Sequence, residues 1–411
     1  MTGDQALGTR ARRPGAEGTL WLANARVVDV ARGTVHEDRQ VEVAAGRVRS
    51  VRASMPAGAP DVVDLEHRYL LPGLISCHTH LSIVFPMSGT DPDEYPAATV
   101  LRAAKRASDA LDAGITTVRS VHEQHRADLW LREAVGRGWA QAPRILGAGR
   151  AITTPKGHGV GMACVEAEGE EGFYLAARGE LEAGADHVKI FINGGLARAD
   201  EDPSRSEMTE GELAGTVRAA TENGTYVVAH SGASTAIREA LAQGVRCFEH
   251  AYELDRPTAQ LLARSGAYLT PTLVVTRCGD WMRANGFSEA TIANAAAAAD
   301  THLESIRNAI SAGVPLLCGT DLPPGDDMGG LSATVYEMLM LEAAGLSRLG
   351  ALQTATLNPS RLFGAEGEIG QVQEGFRADL AVVDDNPLDG LASLAGVRLV
   401  VQDGRVVRSS L

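Results

Sequence analysis

Six residues at or near the ends of apolar, strand-like runs could do chemistry together: His78 and His80 in GLISCHTH, Lys189 in DHVKIFI, His230 in YVVAH, His250 in CFEH and Asp321 in PLLCGTD. Imidazole and carboxylate groups without cysteine suit zinc, and also manganese, iron or cobalt, and one such ion needs three or four ligands. Six candidates suffice for two ions if one group bridges them, an arrangement hydrolytic centres use at about 3.5–4 Å separation. His78 and His80 stand at i and i+2, so an extended strand directs both to one face and Thr79 to the other.

Lys189 is the anomaly of the set. It is one of only three lysines, with Lys105 and Lys156, in a chain of 38 basic residues, and it lies inside an apolar, β-branched run. Desolvating an unpaired ammonium costs several kcal/mol, so such a lysine must be neutral, paired or chemically changed. A low-dielectric strand lowers its pKa. The free amine can then add carbon dioxide, giving a carbamate with one negative charge and two oxygens, one for each cation.

The elements that must position these residues can be read from periodicity. Strand-like runs alternate with helical patterns: GLISCHTH, TTVRSV, RILGAG, DHVKIFI, YVVAH, CFEH, YLTPTL and PLLCGTD, eight in all. Amphipathic stretches such as YPAATVLRAAKRASDALDAG and TEGELAGTVRAATENG lie between them, each with Gly at its helix-ending position. This is the rhythm and size of a (β/α)8 TIM barrel over residues 71–364, and an open doubly wound sheet has the same periodicity. What favours the barrel is that the polar residues fall at strand exits, where the βα loops of a barrel gather. Residues 19–70 and 365–411 instead show short alternating runs broken by turn signals such as ARGT, AAGR and QDGR. Two such segments flanking an α/β middle predict one small β-sandwich built by both chain ends. Residues 1–18 read as a flexible polar extension. The run ANAAAAAD, residues 293–300, reads as an exposed or half-packed helix.

Composition narrows the partners. A formal net charge of −14 argues against nucleic acid and against an acidic membrane surface, leaving a small peptide or amide as substrate. No run of eighteen apolar residues and no apolar signal block appear, and the five cysteines are odd in number and widely spaced. Both features fit a cytoplasmic protein with reduced thiols. A homo-oligomer is left open.

The motifs LLPGLISCHTHL, AGITTVRS, PRILGAGRAITTPKGHG, GADHVKIFINGG, YVVAHSG, FEHAYELD, LTPTL, LLCGTD, LQTATLNPSRLFG and GEIGQVQEGFRADLAVVDDNP together cover nearly the whole chain. In them it resembles the amidohydrolase superfamily, in particular its imidazolonepropionase-like and Xaa-Pro dipeptidase-like metallo-hydrolases. The resemblance implies that His78, His80 and Asp321 hold a more buried ion and His230 and His250 a more exposed one. Carboxylated Lys189 would bridge the two, zinc being the first choice of metal. It further implies amide cleavage by a hydroxide held between the ions, with Asp321 taking its proton and passing it to the leaving nitrogen. The substrate class would be a small peptide or an N-acyl amino acid, including trimming of a modified peptide natural product.

Cyclic amides, carbamates and deamination by a single-metal aminohydrolase are the alternatives. Against deamination stand Ala233, where such relatives place Glu, and the presence of Lys189. A barrel that binds without catalysis is a third class, and six intact candidate ligands count against it. His158, in TTPKGHGVG, is the candidate substrate contact, and Arg119 a second one, through a bidentate pair with a substrate carboxylate. After TTVR, where relatives continue with Asp and Gly, this chain reads SVHEQH, and His122 and His125 read as the polar start of the helix in HEQHRADLWLREAV. His36, His67, His187 and His302 have no assigned role. The polar segment 196–210 is expected to form a wall of the substrate pocket.

Overall fold

The computed structural model describes residues 18–196 and 202–411. The expected N-terminal extension therefore lies outside the described residues except for Gly18, as do residues 197–201 of the expected pocket wall.

Both chain ends enter one sheet. Its order runs Arg405–Ser409, Val397–Gln402, Leu380–Val383, Tyr69–Pro72, Thr19–Asp29, Thr34–Ala44 and Arg47–Arg52, with Val62–Asp64 also beside Thr19–Asp29. Alternating apolar residues of this sheet, among them Leu22, Val41, Val43, Leu70, Leu380 and Leu399, form a core of their own. The terminal hairpin turns at Asp403 and Gly404, both with positive φ (46° and 77°). That is the geometry the QDGR signal predicts for a two-residue turn. The strands hydrogen-bond in one continuous eight-stranded order.

Between the ends the chain alternates parallel strands and helices. The strands Leu74–Thr79, Ile115–Ser120 and Arg144–Gly147 form one parallel sheet. Val188–Phe191, Val227–Ala233, Cys247–Glu253 and Tyr268–Thr270 form another, extended by the two-residue strands Ile152–Thr153 and Val165–Glu166. These strands are apolar and nearly all buried along their length because helices cover their outer faces. The expected helices form at Pro96–Asp112 and Glu210–Glu222, followed by Gly114 and Gly224 with positive φ. The second begins with a capping box between Thr209 and Glu212. The alanine run lies within the helix Glu289–Ala312, with both buried and exposed positions.

PLLCGTD, the eighth run, departs from expectation. It carries only isolated bridges, Leu269 to Leu316 and Thr79 to Leu322. It nonetheless runs between the two sheets. On one side Leu317 donates to the Leu269 carbonyl, and on the other Cys77 donates to Cys318 O while Thr320 donates to His78 O. Pro315 lacks a donor, and the backbone turns to positive φ (59°) at Asp321, so a regular ladder cannot form.

Gly319 explains how closely this segment approaches the His78 strand. A Cβ there would lie 2.6 Å from the His78 nitrogen and 2.5 Å from Thr270 Cγ2. Gly319→Ala is expected to lower stability by about 1–3 kcal/mol, as overpacking does. It should also weaken metal binding by displacing His78. Denaturant unfolding and a metal titration check both, and an unchanged midpoint would refute the account.

Candidate metal centre

His78 lies at the end of the strand Leu74–Thr79, and its ring is bracketed by two carboxylates. Its Nδ1 is 2.5 Å from Glu249 Oε2, and its Nε2 is 3.1 Å from Asp321 Oδ1. His80, just past the strand, has Nδ1 2.8 Å from the His122 carbonyl oxygen and Nε2 2.9 Å from the same Asp321 oxygen. A carbonyl can only accept, so His80 carries its hydrogen on Nδ1. Glu249 is ionised, its pKa held down to about 2 although burial alone would raise it, because Arg119 and His78 face it. His78 therefore also donates from Nδ1.

Both Nε2 atoms then present lone pairs to the Asp321 carboxylate. Two such nitrogens on one carboxylate oxygen require a cation among them: a proton, toward which Asp321 draws His80 by raising its pKa against the opposing effect of burial, or a metal ion.

The remaining candidates converge on the same place. One ligand atom from each of His78, His250 and Asp321 lies within 4.8 Å of the others. The His250 ring is 4.9 Å from that of His78 and 4.6 Å from that of His230, and its Nδ1 is 2.6 Å from Thr272 Oγ1. Burial holds the pKa of both His230 and His250 well below the ordinary range, keeping the rings neutral and available as ligands. Asp321 is held well below the ordinary carboxylate range, the facing histidines overcoming the opposing effect of burial.

Lys189 is 2% exposed, and its Nζ is a buried polar atom with no hydrogen-bond partner. Its Nζ lies 5.8 Å from the Phe191 ring centroid. Burial is the main cause that pushes its pKa down to about 8, against the pull of Glu249 and Asp321. An orphaned amine beside a convergent set of imidazoles and a carboxylate fits a site for divalent ions, with the lysine left to be modified or paired.

Backbone conformation makes the convergence possible. Glu249 and His250 are consecutive in the strand Cys247–Glu253 and would normally face opposite sides. His250 and Ala251 adopt positive φ (66° and 56°), which breaks the alternation so that both side chains reach the centre. His302, unassigned from sequence, clasps this turn: its Nε2 lies 3.1 Å from the His250 carbonyl and 3.0 Å from that of Pro271. Glu123 does similar work after the first strand, accepting from the Leu81 and Ser82 amides.

Arg119 corrects an expectation. It is fully buried and donates to Cys77 O, Cys247 Sγ, Thr270 Oγ1 and, at 2.7 Å, Glu249 Oε1. A guanidinium so committed has no group left for a substrate carboxylate, and it does not line the cavity. Its role is to hold Glu249 against His78, the carboxylate–histidine arrangement that orients metal ligands. Sequence reading missed Glu249. The signal was present, since FEH and TVRS each place a charged residue in an apolar strand, the same anomaly that singled out Lys189.

His122 is a second correction. The helix begins at Ala127, after His122, which is buried. The Ala151 amide donates to its Nδ1, so Nε2 carries the hydrogen and donates to Met162 O at 2.6 Å. Both nitrogens are used, which leaves the ring as cavity wall. His125 lies in the short turn Gln124–Arg126 with φ 56°.

His78, His80, His122, Lys189, His230, His250 and Asp321 line a cavity of about 530 Å³, as do His158, Tyr252 and Leu196. His158 stacks on His230 at 4.4 Å and packs against Phe191.

With this geometry in place, comparison with known proteins is informative. The sequence pattern of the Amidohydrolase family matches residues 69–407. Ochratoxinase from Aspergillus niger is 26% identical over 359 residues, covering 78% of this chain and 71% of that protein. Imidazolonepropionase from Xanthomonas euvesicatoria pv. vesicatoria is 28% identical over 376 residues, covering 82% of this chain and 84% of that protein. A crystal structure of a prolidase complexed with N-methylphosphonate-L-proline superposes with a TM-score of 0.86 at 27% identity, covering 95% of this chain and 100% of the other.

Glu249→Gln should lower metal affinity about 10–100-fold, the usual cost of losing a carboxylate behind a ligating histidine. Arg119→Met should destabilise the fold by about 3–5 kcal/mol by leaving Glu249 buried and unpaired. Chelator competition and denaturant unfolding measure the two, and unchanged affinity in the first variant would rule out the positioning role.

Proposed function

The chain belongs to the amidohydrolase family, and from that premise we propose that it is a two-metal hydrolase of amide bonds in small peptides or N-acyl amino acids. The observation that carries this reading is the convergence of the His78 and His80 Nε2 atoms on one Asp321 carboxylate oxygen beside an unpartnered Lys189 amine. Prolidase and ochratoxinase likenesses support the amide class. We also read the two parallel sheets and segment 315–322 as one closed barrel, covering residues 71–364, and the eight-stranded sheet of both chain ends, with its own core, as a sheet that folds over on itself into a separate small sandwich domain.

His78, His80 and Asp321 would hold one ion and His230 and His250 the other, zinc being favoured by the nitrogen-rich donor set. Lys189 would bridge them as a carbamate. Its neutral amine attacks carbon dioxide, a C–N bond forms, and one proton leaves to solvent. Bound divalent cations would supply polarisation of the scissile carbonyl and acidification of a water to near-neutral pKa.

The rest is done by the chain's own groups. Asp321 takes the proton of the attacking water at its carboxylate and returns it to the departing nitrogen as the C–N bond breaks. His158, which lines the cavity and stacks on His230, would contact the substrate beside its scissile carbonyl. The apolar lining excludes bulk water, which strengthens each of these interactions.

Asp321→Asn should retain most of the bound metal and lose at least about 100-fold in kcat, the lower end of what a general base contributes. Lys189→Met should drop bound metal from two equivalents toward one or none. Elemental analysis and turnover of a dipeptide panel read both, and a fully active Asp321→Asn would remove that carboxylate from the mechanism. Carbon dioxide uptake needs the neutral amine. Metal-free protein given 13C-bicarbonate should therefore show a carbamate NMR signal that grows as pH rises through about 8 and fades below it. Absence of the signal at pH 9, or its persistence in Lys189→Met, would count against the bridge.

A further inference from the structure

Next to Asp321 the lining of the cavity changes character. Phe85, Val275, Trp281, Met282 and Phe287 supply an apolar wall. Their rings are locked together, with Phe85 edge-to-face on Trp281 at 5.3 Å and Phe287 6.0 Å from Trp281. Trp281 is 9% exposed, and its Nε1 donates to Asp326 Oδ2 at 3.0 Å, so its only polar atom is already satisfied. Behind Phe85, the Arg106 guanidinium lies 5.4 Å from the ring and donates to the Leu81 and Ile83 carbonyls, which clamps that loop.

The wall also reaches the chemistry. Leu322, the residue after Asp321, packs in the same cluster as Trp281 and Met282. Among the described lining residues, Lys189 is the only lysine or arginine, and it faces the histidines and Asp321. A substrate group laid against Trp281 would therefore meet fixed aromatic and thioether surface, with no described basic side chain there to receive a negative charge. The wall is also large and preorganised, so it rewards a bulky group with little ordering cost.

We infer that the part of the substrate seated beside Asp321 is an uncharged, bulky apolar group, aromatic or branched aliphatic, gripped by Trp281 and Phe85. This specificity assignment rests on the amide-hydrolase reading above, and its test separates the two. In metal-loaded Asp321→Asn, calorimetry should show N-acetyl-L-phenylalaninamide binding roughly 10- to 100-fold more tightly than N-acetyl-L-alaninamide, as burial of an aromatic ring predicts. The lysine and aspartate counterparts should bind no better than the alanine compound.

Trp281→Ala, added to that background, should collapse the phenylalanine preference to a few-fold. Trp281→Leu, which keeps apolar bulk and guards against a folding defect, should retain part of it. Equal binding of the charged probes, or a preference unchanged in Trp281→Ala, would overturn the assignment. Turnover of the same four amides by the native, metal-loaded protein gives the second arm. Faster cleavage of charged amides overturns the pocket assignment and leaves amide hydrolysis standing. No cleavage, together with retained aromatic binding that depends on Trp281, leaves the pocket standing and overturns amide hydrolysis.

Discussion

A single buried chain of charge orders the interior: Arg119 donates to Glu249, and Glu249 accepts from His78. Removed from water, neither the guanidinium nor the carboxylate is tolerable alone, and each is held in place by the other's need for a partner. The consequence is directional. With Nδ1 of His78 consumed by Glu249, Nε2 must point to Asp321, and the same logic at His80 depends on the His122 carbonyl. The centre is thus specified by which nitrogen is already occupied, before any ion is considered.

Backbone strain completes what charge begins. Left-handed φ values at His250, Ala251, Thr272 and Asp321 cluster at one end of the parallel strands. Non-glycine residues adopt such values rarely, and they persist where surrounding structure over-determines them. Here the supports are visible. His302 lies against the His250 carbonyl, and Glu337 accepts from the Leu273 and Val274 amides beside Thr272. The Thr320 and Asp321 amides both donate to His78 O. His250, Thr272 and Asp321 are thus each held by polar contacts with a neighbouring element, which ties the geometry of the centre to the packing of the parallel core.

The asymmetry of the cavity follows from the same architecture. The face toward His158 and His230 is built from strand ends and is rich in imidazole. Another part of the lining comes from the segment after Tyr268–Thr270, including the short helix Gly279–Ala284, and is aromatic. A parallel α/β core leaves such loops free to vary while the strands hold the reactive groups.

Periodicity in the sequence was enough to determine the alternation of buried strands and helices, the meeting of both chain ends in one β unit and the terminal hairpin, because each rests on local spacing. It also singled out His78, His80, Lys189, His230, His250 and Asp321, since a polar residue at the exit of an apolar run is an anomaly visible in one dimension. What the sequence could not decide is how charges pair across strands far apart in the chain. Arg119 faces a residue 130 positions away, so its commitment to Glu249, and its unavailability to a substrate, appear only when the strands are set side by side. His122 likewise looked like a helix start until the Ala151 amide and the Met162 carbonyl claimed its ring. The eighth run read as a strand, yet tertiary contact with His78 and the turn at Asp321 left it only isolated bridges. Local spacing determines which residues are unusual, and packing in a low-dielectric interior decides which of them become partners.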